Sequence, residues 1–261
     1  MKNIKASILI ANYNNAIFIK DCIQSLKKQT YKNLEIIFFD DNSKDNSLKE
    51  IKKFSKIKII CNKKKKKYSS FNQINSYKKA ILKSTGDIIF FLDSDDFFHK
   101  DKINAVICEF NNNKDLQIVF DLPIKKIGNK KIKQKYKHKI FKTYWPYFPP
   151  QSCIAIKREH INKVMNSINF DLFPNIWMDF RIGIYAKFIL NNFYILRKNL
   201  TFYRITESNI SSKFKFFSAP WWKRRLEAHN YVKHYFLDNN IKYKKNLDYI
   251  LTYNICRFIK K

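Results

Sequence analysis

No stretch of the 261-residue chain approaches the roughly 18 consecutive uncharged apolar residues that a membrane-spanning helix needs. The opening Met1-Lys2-Asn3-Ile4-Lys5 runs straight into a strand-like segment, without the apolar region and small-residue cleavage site of an export signal. A cytoplasmic location is therefore expected. Cysteine is sparse and scattered: Cys22, Cys61, Cys108, Cys153 and Cys256 are odd in number and form no CxxC pair. That pattern argues against a disulfide framework or a zinc site, and for reduced, mostly packed thiols. Glycine occurs only 3 times while Lys and Asn abound, a composition that reads as coding bias toward A/T-rich codons. Acidic residues are also short, 21 against 52 Lys and Arg, for a net charge of +31. Such a balance suits nucleic acid, an anionic membrane surface or an acidic substrate, with the coding bias as a fourth explanation. The run Lys63 to Lys67 carries no interleaved aromatics and reads first as a solvated loop. Hydrophobic residues at 45% and aromatics at 16% are far too rich for a disordered chain. The length fits one large domain, or one domain with a modest appendage.

The first 120 residues alternate short apolar runs with helical stretches. Ser7-Ile8-Leu9-Ile10 reads as a strand buried on both faces. Ile19, Cys22, Ile23 and Leu26 then fall at i, i+3, i+4 and i+7, which predicts a helix over 15–28 with one apolar stripe. A second strand over 34–39 ends at Asp40-Asp41, a short helix follows over 47–54, and a third strand occupies 57–60. A helix over about 71–83 stops near Gly86, where a C-terminal glycine cap belongs. The fourth strand, 87–92, delivers the chain to Asp93-Ser94-Asp95-Asp96. Strands and helices alternating at this spacing predict βαβ units and a mostly parallel sheet. Ligands in such sheets bind beyond the carboxyl ends of the strands, where both acidic clusters fall. From 121 to 150 the pattern becomes irregular and predicts a hairpin or loop excursion over the site. A strand over 153–156 and helices over 159–167 and about 178–190 follow, then a basic, aromatic, helical segment after 213.

Three carboxylates within four residues repel one another unless a cation or donor network compensates. Asp93, Asp95 and Asp96 are therefore candidate oxygen ligands for Mg2+ or Mn2+ holding a diphosphate, the competing reading being a helix N-cap. Asp40-Asp41-Asn42-Ser43 is equally a plain turn sequence. Beside the other acidic strand end, Asp41 is a candidate to accept a base N–H and read uracil, with Asn12 or Tyr13 on the same nucleoside.

Together these residues resemble the family-2 glycosyltransferases, which have the GT-A fold. Ser7-Ile8-Leu9-Ile10-Ala11-Asn12-Tyr13-Asn14 is similar to that family's opening strand. Ser25-Leu26, Gln29-Thr30-Tyr31, Glu35-Ile36-Ile37 and Asp40-Asp41-Asn42-Ser43 resemble its next block, and Ser84-Thr85-Gly86-Asp87-Ile88 with Leu92-Asp93-Ser94-Asp95-Asp96 resembles its DxD block. The likeness is dense over about 5–100 and thinner to about 212. It implies an α/β GT-A nucleotide-sugar-binding fold and an inverting transferase using a nucleotide-sugar, usually a UDP-sugar, in bacterial capsule or lipooligosaccharide biosynthesis. Ala11, Asn12, Tyr13 and Asp41 would hold the nucleoside, and Asp93 and Ser94 the ribose or diphosphate. Asp95 would hold Mn2+ or Mg2+ with Asp96 in support. Asp179, in Trp177-Met178-Asp179-Phe180, would be the general base that takes the acceptor hydroxyl proton. A helix-start carboxylate is its structural alternative.

Several positions depart from the family pattern. Ala11 replaces the usual Pro, Met178 replaces the first acid of a pair, and Tyr77-Lys78 replaces Arg-Asn, leaving Lys78 as a diphosphate contact. Thr206, in Tyr203-Arg204-Ile205-Thr206, stands where many relatives carry a metal-completing His. Glu207, Asn209 or water then fills that position, or the metal is held more weakly, with Arg204 compensating part of the leaving charge. The five scattered histidines are poor site candidates, while Trp145 and Tyr147 suit either an acceptor sugar face or packing.

The chain is expected to divide into a catalytic domain over 1–212 and a basic aromatic helical extension over 213–261. The first would have a nucleotide-binding half over about 1–100 and an acceptor-binding half over about 101–212. Aromatics beside Lys and Arg in that extension suit either packing on the domain or an anionic membrane surface. The expected acceptor is an oligosaccharide or lipid-linked glycan. Two alternatives stay open: an inactive homologue that binds nucleotide-sugar or glycan, and a basic nucleic-acid binder. The second is disfavoured because the strand ends are acidic.

Overall fold

The apolar runs of the N-terminal half become strands because they are buried on both sides. In the computed structural model, which describes residues 3–63, 67–136, 144–145, 148–168, 172–206 and 214–259, four parallel strands form the core. They are β1 (Ala6–Asn12), β2 (Leu34–Asp40), β3 (Ile57–Cys61) and β4 (Ile88–Asp93), in the order β3-β2-β1-β4. Alternation sends Leu9, Ile37, Ile89 and Phe91 into one hydrophobic cluster, and Ile8, Ile10, Phe38, Phe90 and Leu92 into the other. The second face is covered by α1 (Ala16–Lys27), α2 (Ser47–Ile51) and α4 (Lys102–Asn112). The first is covered by α3 (Ser69–Leu82), α5 (Arg158–Asn166), α6 (Met178–Tyr185) and α7 (Ala219–Asp238). Helix α1 buries Ile19, Cys22, Ile23 and Leu26, the stripe read from the sequence.

The sheet continues through β8 (Ile154–Lys157), antiparallel to β4, then β6 (Ile118–Ile127), β9 (Phe193–Arg204) and the short β5 (Phe97–Phe98). Among the described residues, strand β7 (Lys130–Lys133) pairs with β6 alone. Because β6 and β9 run in the same sense as β1 to β4, the described sheet is mostly parallel. The irregular stretch expected from 121 is strand as far as Ile127, turned into β7 through Gly128 at φ +54°. Pro123 and the lysines disguise it. The register with β9 shifts at Leu122 and Pro123, the kind of bulge that accommodates a proline within a sheet. The helix predicted to reach Leu190 is α6 followed by a π-helical turn over Ala186–Leu190. Helix α8 (Leu247–Ile259) packs on α7.

Gly86 is not a helix cap. Helix α3 ends at Leu82 with Lys83 in ordinary right-handed geometry. The glycine is needed because the chain here presses on β1: an added Cβ would lie 2.5 Å from Ser7 Oγ, 2.7 Å from Ser7 N and 2.8 Å from the Lys5 carbonyl oxygen. Two of those three atoms are backbone and cannot swing away. Gly86→Ala is expected to destabilise the fold by about 2–3 kcal/mol through overpacking. An unchanged urea midpoint at unchanged slope would contradict this. Of the five free thiols, Cys22, Cys153 and Cys256 are buried, whereas Cys61 and Cys108 are exposed.

Candidate active site

A cavity of about 760 Å³ opens at the carboxyl ends of β1, β2 and β4 and is closed on the far side by α6 and α7. Two polar turns form its floor. Asp40 accepts from Asn12 Nδ2 (2.8 Å), Ser43 Oγ (2.6 Å) and the Ser43 amide (2.9 Å), tying the β1 and β2 ends together. Asn14 takes a left-handed turn at φ +51°, and its Oδ1 accepts from the Lys44 amide at 2.7 Å. With Asp40 engaged below, Asp41 is the member of the pair that lines the cavity, where Asn62 Nδ2 donates to it at 2.9 Å. Ala11, Asn12 and Tyr13 line the same wall.

At the end of β4, Asp93 lines the cavity and its Oδ1 accepts from Gln73 Nε2 (2.9 Å) and the Tyr77 hydroxyl (2.8 Å), both from α3. Asp95 also lines it, and burial followed by the neighbouring Asp93 charge pushes its carboxyl up to about 7. Asp96 turns away. Its carboxylate accepts from Ser152 Oγ (2.6 Å) and the Arg204 amide (2.8 Å) and is off the cavity wall, so the expected supporting ligand is a brace.

A second, fully buried layer stands behind that brace. Ser152 Oγ accepts from the Asp93 amide at 3.1 Å, and the Ser152 carbonyl accepts from Lys102 Nζ. Lys102 pairs with Asp121 at 2.8 Å and donates to Thr201 Oγ1 at 2.6 Å.

Asp179 enters from the opposite side, on the first turn of α6. Burial raises its carboxyl to about 7, against the opposing pull of the Phe180 amide (2.9 Å) and the Arg224 guanidinium. The Met178 side chain is fully buried. Arg224, from α7, lines the cavity between the rings of Trp177 (4.0 Å) and Phe214 (4.2 Å). Burial lowers its pKa to about 10, so it stays a cation at neutral pH. Its Nε donates to the Asn175 carbonyl at 3.0 Å, and Glu227 accepts from the Asn175 amide and Nδ2, each at 2.8 Å. These bonds tie α7 to the segment that carries Asp179.

Three further expected contacts lie off this cavity. Ser94 is fully buried and accepts from Asn15 Nδ2 at 3.0 Å. The Arg204 guanidinium sits over the rings of Phe18 (4.6 Å) and Phe97 (5.0 Å) and pairs with Asp21. Lys78 projects from α3 outside the set of lining residues, which takes Asn72, Gln73 and Ser76 instead. Thr206 is likewise not a lining residue, and Glu207, Asn209, Tyr147 and His138 fall outside the described residues. No described histidine lines the cavity, whereas Trp145 does. Arg224, Arg225 and Trp221 were missed as site residues. Their segment, Pro220 to Arg225, is legible only as a basic aromatic helix, and which face meets the cavity depends on Asn175 and Glu227.

The donor set fits a hard divalent cation in part. Asp93 and Asp95 offer carboxylate oxygens beside space for a diphosphate, the ligand type that Mn2+ and Mg2+ favour. Among the described residues no group of three or more His, Cys, Asp or Glu is arranged to hold a metal ion.

The model of the family described as Glycosyl transferase family 2 matches residues 7–177. An uncharacterized glycosyltransferase of Nostoc sp., alr2836, is 29% identical over 224 residues, which cover 78% of this chain and 66% of the relative. The Escherichia coli UDP-Glc:alpha-D-GlcNAc-diphosphoundecaprenol beta-1,3-glucosyltransferase WfaP is 39% identical over 101 residues, covering 39% of each chain. The chain thus matches less than two thirds of the length of these curated relatives. Among solved structures, S. aureus TarS 1-349 in complex with UDP-GlcNAc superposes with a TM-score of 0.63 at 16% identity, over 86% of this chain and 65% of that one. At that identity the likeness shows the fold alone, and the fold is GT-A.

Proposed function

The chain belongs to glycosyl transferase family 2, and from that premise we propose that it moves a sugar from a UDP-sugar to a glycan acceptor with inversion at the anomeric carbon. The observation that carries the reading is the convergence of Asp41, Asp93, Asp95 and Asp179 on one cavity that also holds the Arg224 cation. Asp41 accepts the base N–H, with Asn12 and Tyr13 beside the nucleoside. The diphosphate lies toward Asp93 and Asp95, which would hold Mn2+ or Mg2+ together with the diphosphate oxygens. A divalent metal there would supply positive charge to offset that of the diphosphate. Arg224 supplies a fixed positive charge across the cavity.

The acceptor hydroxyl approaches from the α6 side. Its proton passes to Asp179 as its oxygen bonds to C1, while the bond from C1 to the diphosphate oxygen breaks and the nucleoside diphosphate leaves. One base acting opposite the leaving group produces inversion. WfaP is named for UDP-Glc and a diphosphoundecaprenol-linked GlcNAc. A lipid-diphosphate-linked glycan in the biosynthesis of a bacterial surface polysaccharide, such as a capsule or lipooligosaccharide, is the acceptor class proposed here.

A thermal-shift screen of UDP, GDP, CDP and dTDP, each with Mn2+, Mg2+ or EDTA, tests the donor half of this reading. A ligand at about 100 times its Kd adds about 2.7 kcal/mol of stability, a shift of several degrees for a chain of this size. UDP with Mn2+ or Mg2+ is expected to give the largest rise, and Asp95→Asn to remove the metal-dependent part. No shift with any nucleotide would contradict nucleotide-sugar binding.

A further inference from the structure

The rim of the cavity carries an apolar surface that the proposed chemistry leaves unused. Phe216 is 71% exposed and Phe217 is 63% exposed, on the turn leading into α7. Their rings form one cluster with Trp221 and Trp222, with centroids 4.1 to 5.9 Å apart. Helix α8 begins beside them, because Arg225 holds both Asp248 oxygens at 2.6 Å and stands 5.2 Å over the Trp221 ring. That contact brings up a second row on α8, with Leu247 85% exposed and Leu251 57% exposed. Spacings of three and four residues put Leu247, Ile250 and Leu251 on one face of the helix. Phe214, Trp221, Arg224 and Arg225 line the cavity, so the patch adjoins its wall.

Charge decides what covers this surface. Lys215 and Lys223 beside the aromatic cluster and Lys245 just before Leu247 are exposed, and neither 214–226 nor 239–247 contains an Asp or Glu. A second copy laid on the patch would set these lysines against their own counterparts in a chain of net charge +31. An anionic lipid surface complements them and takes the aromatic and leucine side chains at the depth of its headgroups. No described helix is long and apolar enough to cross a membrane, so contact through this patch is peripheral. We infer that Phe216, Phe217, Trp222, Leu247 and Leu251, flanked by these lysines, dock the protein on an anionic phospholipid surface with the cavity mouth at the membrane. The inference rests on the proposed reading in one respect: a lipid-linked acceptor would be presented from that surface.

Flotation of the full chain with phosphatidylglycerol-containing vesicles and with pure phosphatidylcholine vesicles tests this. The protein is expected to float with the anionic vesicles, much less with the neutral ones, and less as salt is raised. Phe216→Ser/Phe217→Ser and, separately, Leu247→Ser/Leu251→Ser are each expected to lower the partition about tenfold or more. All of these side chains are solvent-exposed, and both variants should keep the wild-type UDP-induced thermal shift. Equal recovery of wild type and both variants on anionic vesicles would overturn the proposal, as would equal binding to neutral ones. A concentration-dependent dimer that both variants abolish would replace the lipid with a second copy. Loss of the nucleotide shift in the wild type would instead count against the transferase reading, whatever the vesicles show.

Discussion

Asp179→Asn is expected to fold normally, bind UDP as the wild type does, and lose transfer by about 10²- to 10⁴-fold in kcat, the range carried by a positioned general base. The substitution keeps the shape and removes only the proton-accepting charge. The wild-type carboxyl already sits at about 7 because it is buried, so an amide costs the fold little there. The same pKa sets the pH profile. A base works only when ionised, so kcat at saturating donor should rise with pH and level off above about 7. Below that midpoint it should fall about tenfold per pH unit. Near-normal turnover by Asp179→Asn would remove this residue as the base.

The second large effect is on stability. Lys102 and Asp121 are both fully buried, 2.8 Å apart, and burial already raises the Asp121 carboxyl. Lys102→Met removes the cation and strands that carboxyl among Thr201 and the Ser152 carbonyl. Breaking one side of such a pair costs about 3–5 kcal/mol, read as a lower urea midpoint. Lys102→Met/Asp121→Leu is expected to recover at least half of the loss, since an apolar replacement leaves no stranded charge. A single-variant loss under about 1 kcal/mol would mean that the pair is not the anchor of the Ser152 layer.

The parallel core was legible because its strands are short apolar runs ending in small polar and acidic residues. That the acidic ends meet at one site was legible for the same reason, since the carboxyl ends of β1, β2 and β4 share one edge. The family resemblance named Asp41, Asp93 and Asp95, which line the cavity, but no local pattern shows that Asp96 does not. Asp95 lines the cavity and Asp96 does not because Ser152 and the Arg204 amide, 56 and 108 residues away in sequence, hold Asp96 from behind. Arg204 was read as a diphosphate contact, yet Asp21, Phe18 and Phe97 hold it elsewhere, and the cavity takes its guanidinium from Arg224. Gly86 was legible as a required glycine for the wrong reason. Its cause is the approach of Ser7 and Lys5 across the sheet, which no local pattern announces.

The central claim is nucleotide-sugar turnover with inversion in this cavity. Its most direct test is proton NMR of the protein with UDP-linked, GDP-linked and dTDP-linked sugars in the presence of diamagnetic Mg2+, read before the released sugar mutarotates. The account predicts release of UDP, with water as acceptor, from an α-linked donor to give β-sugar as the first-formed anomer, and loss of that release in Asp179→Asn. First-formed α-sugar, or no release from any donor, would contradict it.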